Sequence, residues 1–357
     1  MNDRKCFECV DRTFKDILEK PHLPFGGMSM LVGGDFRQTF PVKPKVRPAE
    51  IIASTLPNSL LWRNFTVCPL LYNMRLSQTA SSDPSINSRN QFASWILDIG
   101  NGVIGSPSVE DPESTYDVII PPHLLISPGP NQLQCLIDFV YPLDFLQQPT
   151  LSSFSNRAII CPKNITTDEI NSLILSRTIG VKKHYLSVDS ISANIYRTCD
   201  TDLLYPPEYL NHLTFQGLPL HDLSLTVNCP VLLMKNFDQA LGLCHDTRLL
   251  VTRLFPYIIE ATILTGTSIG KRAYIPKMKF VYNSPDLPFV FTRKQFPLKV
   301  CYAMTINKSQ GQSLERVGVY LPEPVFSHGQ LYVALSRATS PDGIRVLVLD
   351  ENDHPSN

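Results

Sequence analysis

The stretch TINKSQGQSL, residues 305–314, decides how this sequence folds. It sits between two apolar runs, LKVCYAM at 298–304 and VGVYL at 317–321. Short apolar runs bounded by turn-forming residues read as buried strands. In an open α/β sheet, the carboxyl ends of such strands are where groups are presented to a ligand. Thr305, Asn307, Lys308, Ser309 and Gln310 crowd donors into one loop, an array suited to phosphates and sugar hydroxyls. Gly311 permits close backbone approach.

Two other stretches repeat the design. In LVGGDFRQTFPV, residues 31–42, the apolar run MSMLV (28–32) predicts a buried strand ending at Gly33-Gly34-Asp35. The glycines are expected to turn the chain tightly, and Asp35, Arg37 and Gln38 to project from the strand end. In GQLYVALSRA, residues 329–338, helical spacing puts Gln330, Ala334 and Arg337 on one face. Leu331, Leu335 and Ala338 form an apolar face beside it, and Ser327 is the expected N-cap. A lone arginine usually ends in a surface ion pair. One beside a strand-end loop can reach a phosphate.

Outward from these stretches, residues 3–20 and 89–99 show helical spacing of apolar side chains, and FTVCPLLY (65–72) is strand-like. RAIICPKN (157–164) reads as strand and turn, leading to a helix over 166–176 capped by Thr166 or Thr167. That order begins an α/β domain, and the loop-rich stretch before it puts a boundary near residue 150. VLLMKNF, TRLLVTRL, IIEATIL and RAYIPKMKF, within about 230–282, predict a small antiparallel barrel inserted into the second domain. IRVLVLD (344–350) is the last expected strand.

Composition narrows the class. Across 357 residues, Lys plus Arg equals Asp plus Glu at 32 each, so no global positive field advertises a polyanion and any grip must be local. Nine scattered cysteines suggest reduced intracellular thiols, with Cys6 and Cys9 as neighbours on a helix rather than a zinc site. No apolar run reaches the roughly 20 residues needed to cross a bilayer, which predicts a soluble protein with no membrane partner.

GGDFRQTFPV, LLYNMRL, AMTINKSQGQSL and LYVALSRA, in this order, resemble motifs III, IV, V and VI of the Pif-type (petite integration frequency) DNA helicases of superfamily one, in particular the branch carried by Helitron transposons. PVLLMKNFDQALGLCHDTRL and EATILTGTSIGKRAYIP are similar to segments of the barrel those helicases insert in their second motor domain. The resemblance implies two RecA-like P-loop NTPase domains, a partial one over 1–150 and a second over 151–357 with the insert near 230–282. It implies an ATP-dependent 5′-to-3′ DNA helicase acting on single-stranded DNA and duplex junctions. It also implies a nuclear location and roles in DNA repair, recombination, telomere maintenance or transposition. By the same resemblance Gln38 senses the γ-phosphate, and Asp35 and Arg37, with Gly34, frame its loop. Arg75 and Arg337 stabilise charge on the transferred phosphoryl group. Thr305, Asn307, Lys308 and Ser309 hold the DNA strand, and Gln310 and Gly311 link that grip to the nucleotide. The chain departs from the pattern twice: Asn307 stands where many relatives have His, and GLCHDTR stands where GLCNGTR is expected, so His245-Asp246 replaces a tight-turn pair.

Such a motor uses ATP and Mg²⁺, with a G-x-x-x-x-G-K-[ST] loop for the phosphates and an acidic pair for the metal. The sequence has no such loop, and no Asp-Glu pair follows an apolar strand near its start. GTSIGKR (266–272) has the wrong spacing and reads as a turn. The resemblance implies a chain that starts just past the acidic motif and does not hydrolyse ATP alone. The alternative is a catalytically dead nucleic-acid-binding remnant of a transposon helicase; a third is a scaffold that binds protein only.

Overall fold

A computed structural model describes residues 2–41, 43, 46–70, 72, 85–108, 116–147, 154–192, 205–284 and 287–349. The chain forms two compact units, one of Met1–Ser127, Ser309–Ser313 and Leu321–Asn357, the other of Pro128–Lys308 and Leu314–Tyr320.

The second unit is built on parallel pairing. The Arg157–Cys161 strand, buried from Ala158 on, pairs in parallel with Ala303–Thr305 on one side and with Arg316–Val319 on the other. Burial on both faces is why RAIIC is a continuous apolar run after its first residue rather than an alternating one. Helices Gln132–Val140 and Asn164–Arg177 pack on it. At Gly318 a Cβ would stand 3.0 Å from Val140 and 3.2 Å from Leu136, so glycine lets the first helix lie close to the sheet. Buried Asn171, on the second helix, donates to the Ala303 carbonyl at 3.1 Å and accepts from its N–H at 2.7 Å. That pairing satisfies both backbone groups of the first residue of a short strand. The Asn164–Arg177 helix starts two residues before the expected segment, and neither threonine is its cap; Thr167 Oγ1 bonds back to the Asn164 carbonyl.

The segment expected as a barrel is antiparallel, but among the described residues no sheet closes. Pro230–Leu233, Arg248–Leu254, Ile258–Ile263 and Arg272–Pro276, with Leu298–Val300, form one open five-stranded sheet. Met278–Tyr282, Val290–Gln295 and Val188–Ser192 form a separate three-stranded one. RAYIPKMKF therefore divides into two strands in different sheets. LKVCYAM divides in the same way. Leu298–Val300 pairs antiparallel with Val231–Leu233, Cys301 N–H still bonds the Pro230 carbonyl, and Ala303–Thr305 then joins the parallel sheet. Apolarity marks these residues as buried without saying in which sheet.

In the first unit, helix Arg4–Ile17 is capped by Asp3, whose carboxylate accepts from Lys5 N–H at 2.9 Å. Asp11, 5 % exposed, accepts from Phe25 N–H at 2.6 Å and pairs with Lys15 Nζ at 2.7 Å, anchoring the Pro24–Gly27 turn on the helix. Helix Gln330–Leu335 packs on helix Ser85–Gly100, and Ile126 N–H bonds the Val346 carbonyl of the Ile344–Val348 strand. Two expectations fail here. MSMLV belongs to no strand, and Leu31 is fully exposed. FTVCPLLY is likewise in no strand over its described residues, with Leu70 at 98 % exposure. An apolar run becomes a strand only where a neighbour offers a ladder, and none lies beside these two among the described residues.

Candidate functional site

In the first unit, the 309–313 part of the polar loop, residues 33–41 and the short helix form one hydrogen-bonded network. Arg337 is 5 % exposed. Its Nη1 donates to the Gln312 carbonyl at 2.9 Å and the Ser309 carbonyl at 3.3 Å, its Nε to the Val333 carbonyl at 2.9 Å, and its Nη2 to Ser336 Oγ at 2.8 Å. The guanidinium thus fastens the 309–313 loop to the end of the helix. From the loop, Gln310 Nε2 donates to Thr39 Oγ1, next to Gln38. Gly311 holds φ +77°, a conformation that side-chain-bearing residues rarely adopt.

Asp35 organises the other end. It accepts from Arg37 N–H at 3.1 Å and from Tyr332 Oη at 3.2 Å, while Arg37 Nε donates to Asn101 Oδ1 at 2.6 Å. Burial, then the Asp35 charge, pushes the Tyr332 hydroxyl above its usual pKa, so it stays a donor. Phe40 stacks on His328 with ring centroids 4.2 Å apart. The helix is capped by Gly329 at φ +74°, not by Ser327, and a Cβ at 329 would collide with the Arg37 and Gln38 carbonyls. Gly33 and Gly34 behave otherwise: neither has positive φ, and a Cβ on either would meet nothing, so no tight turn demands them in this state.

Asp35, Arg37, Gln38, Gln310, Gly311 and Arg337 therefore lie in one unit, linked directly or through Thr39 and Tyr332. Arg75 falls outside the described residues. As placed, the Arg337 guanidinium donates to carbonyls of the loop and of its own helix and to the Ser336 hydroxyl. Among the described residues no group of three His, Cys, Asp or Glu side chains is placed to hold a metal ion.

In the second unit, Thr305 ends its short strand at 9 % exposure, paired with Cys161. Asn307 and Lys308 are half-buried, and Asn307 Oδ1 has no hydrogen-bond partner among the described residues. Ser309, assigned to the first unit, is fully buried. Lys308 Nζ lies 3.2 Å from Asp246 Oδ1, close enough for an ion pair but outside hydrogen-bond geometry. The sequence reading missed Asn101, Gly329, Tyr332 and Asp246. The His-Gly pair before the helix was a signal for Gly329, and the substitution in GLCHDTR a signal for Asp246; Asn101 and Tyr332 carry none.

A family model for PIF1-like helicase matches residues 1–110, one for the DNA helicase Pif1 2B domain matches 208–254, and a herpes helicase model matches 277–354. The ATP-dependent DNA helicase PIF1 of Danio rerio is 33 % identical over 160 residues, 44 % of this chain and 23 % of that protein. The ATP-dependent DNA helicase RRM3 of Saccharomyces cerevisiae is 37 % identical over 100 residues, 27 % of this chain and 13 % of that one. The matched region is thus less than a quarter of these curated relatives. Among solved structures, a Bacteroides Pif1 bound to single-stranded DNA aligns with TM-score 0.62 at 20 % identity, covering 100 % of this chain and 71 % of that one. The Pif1 helicase of Candida albicans aligns with TM-score 0.57 at 21 % identity, covering 100 % and 72 %. At that identity the likeness is one of fold.

Proposed function

This chain belongs to the Pif1-type helicases of superfamily one, and on that premise we propose that it binds single-stranded DNA as the strand-gripping portion of an ATP-dependent DNA helicase. In this reading residues 1–150 and 151–357 correspond to the two RecA-like domains, and the strands near 230–282 to the inserted subdomain. Thr305, Asn307 and Lys308 contact the strand, and Gln310 and Arg337 couple that contact to Gln38. Nuclear residence and work on junctions during repair, recombination, telomere maintenance or transposition belong to the same proposal.

The observation that supports it is the network through Arg337, the 309–313 loop, Gln310 and Thr39. Gln310 bonds Thr39, Lys308 pairs with Asp246, and the Ser309 and Gln312 carbonyls accept from Arg337, contacts that a plain connection between strands does not need. In this state Arg337 acts as a positioning residue. It holds the loop shape by donating to two loop carbonyls.

A second reading, a binding protein that does not turn over ATP, is favoured by the lack of any G-x-x-x-x-G-K-[ST] stretch in the 357 residues. Both readings predict oligothymidine binding that weakens steeply with salt. Titration of labelled oligothymidine against this chain measures it, and salt-independent or absent binding overturns both. ATP turnover by this chain is expected to be nil. Turnover that Arg337→Ala abolishes would overturn the second reading and restore a complete motor.

A further inference from the structure

The turn that carries His245 and Asp246 is tightly fixed. Asp246 N–H donates to the Leu233 carbonyl at 2.8 Å, His245 N–H to Asn236 Oδ1 at 2.7 Å, and Thr247 Oγ1 to the Gly242 carbonyl at 2.9 Å. Within it Asp246 holds φ +65°, a left-handed conformation costing a non-glycine residue roughly 1 kcal/mol. That is the position where a glycine was expected from the sequence. The carboxylate so placed has one oxygen 3.2 Å from Lys308 Nζ and the other 2.9 Å from His245 Nδ1. Lys308 is the one formal cation of TINKSQGQSL. It lines, with His245 and Lys299, a cavity of about 680 Å³ that lies wholly within the second unit. Lys299 has its own acid, Asp168, at 2.6 Å. Both lysines of this cavity are thus matched by carboxylates before any ligand arrives.

We propose that Asp246 is an intramolecular counterion that occupies the phosphate position on Lys308 and so sets how tightly, and with what salt dependence, a nucleic-acid strand is held. This rests on the strand-binding reading above. A lysine already neutralised by a fixed acid contributes little net charge to a phosphate. The strand must displace the carboxylate or bind beside it against repulsion. The fixed turn keeps the carboxylate from swinging far away. Affinity is therefore lower than the loop's donors would give, and the dependence on salt shallower, because one fewer phosphate is effectively neutralised.

The test is fluorescence anisotropy with labelled oligothymidine across a sodium chloride titration, using the whole chain, Asp246→Asn, Lys308→Ala and the double variant. Asparagine keeps the size of the side chain and tolerates the left-handed conformation; Asp246→Gly serves as a second variant that relieves the strain. Asp246→Asn is expected to bind about two- to five-fold tighter, the scale of one partly exposed ion pair. Its slope of log affinity against log salt is expected to steepen by about 0.7. In the Lys308→Ala background the same change should alter neither quantity. A merely structural role for Asp246 would shift melting temperature but not that slope. Equal slopes in wild type and Asp246→Asn, or a gain that persists without Lys308, overturn the counterion role alone. Failure of every variant to retain oligothymidine at low salt overturns the strand-binding reading and this inference with it.

Discussion

At the scale of single residues, the buried charges carry the firmest expectations. Asp189 is fully buried and receives a two-pronged contact from Arg293, itself 1 % exposed, at 2.9 and 2.6 Å. Arg293 also donates to the carbonyls of Pro219 and Leu210, and Ser187 Oγ bonds both Asp189 and His221. Removing one partner leaves an uncompensated buried charge, which typically costs about 3–5 kcal/mol. Asp189→Ala is therefore expected to lower the unfolding free energy by that order, while an apolar replacement of both partners should recover much of the loss. Urea melts of the single and double variants check this, and equal stability of Asp189→Ala and wild type would refute it. Gly329→Ala combines a strained conformation with a collision against the Arg37 and Gln38 carbonyls. It should loosen the 33–42 stretch, seen as faster amide exchange there than in the rest of the first unit.

At the scale of elements, helix Arg4–Ile17 shows how one carboxylate fastens a helix to the turn after it. Burial pushes the Asp11 pKa up, but the hydrogen bonds from Lys15 and Phe25 N–H outweigh it, so its folded pKa lies below the usual value. A depressed carboxylate pKa adds stability above the unfolded value of about 4, and that stability is lost as pH falls through the lower folded value. Acid should thus release the helix from the Pro24–Gly27 turn below about pH 4. Asp11→Asn should be less stable at neutral pH and show a flatter acid limb in thermal melts. An unchanged acid limb would exclude this role. The helix was legible from its spacing. The turn it clasps was not, because nothing in PFGG announces that Phe25 will sit at φ 49° with its N–H on a side chain fourteen residues back.

At the scale of the whole molecule, division into two units accompanies an uneven treatment of apolar surface. The second unit pairs its apolar runs in sheets, whereas in the first Met28, Leu31, Val67, Leu70 and Tyr72 are exposed outside any strand. Unpaired extended apolar segments invite pairing with other chains. The isolated chain is expected to self-associate with rising concentration, and Leu31→Lys with Leu70→Lys to suppress it. Light scattering across a dilution series measures this, and a monodisperse wild type would count against it.

The sequence by itself determined the family, the α/β class, the buried 157–161 strand, the antiparallel character of 230–282 and the polar loop at 305–314. Each of these is written in local periodicity or in motif order. Tertiary structure decided which sheet each apolar run joins, since LKVCYAM and RAYIPKMKF look continuous and are not. It alone decided that MSMLV has no ladder, because a strand exists only through its neighbour. It alone set Arg337 against the carbonyls of the 309–313 loop and Asp246 against Lys308. The last pair shows why: a carboxylate and an ammonium sixty-two positions apart meet only when a turn and a strand end have been brought together by packing.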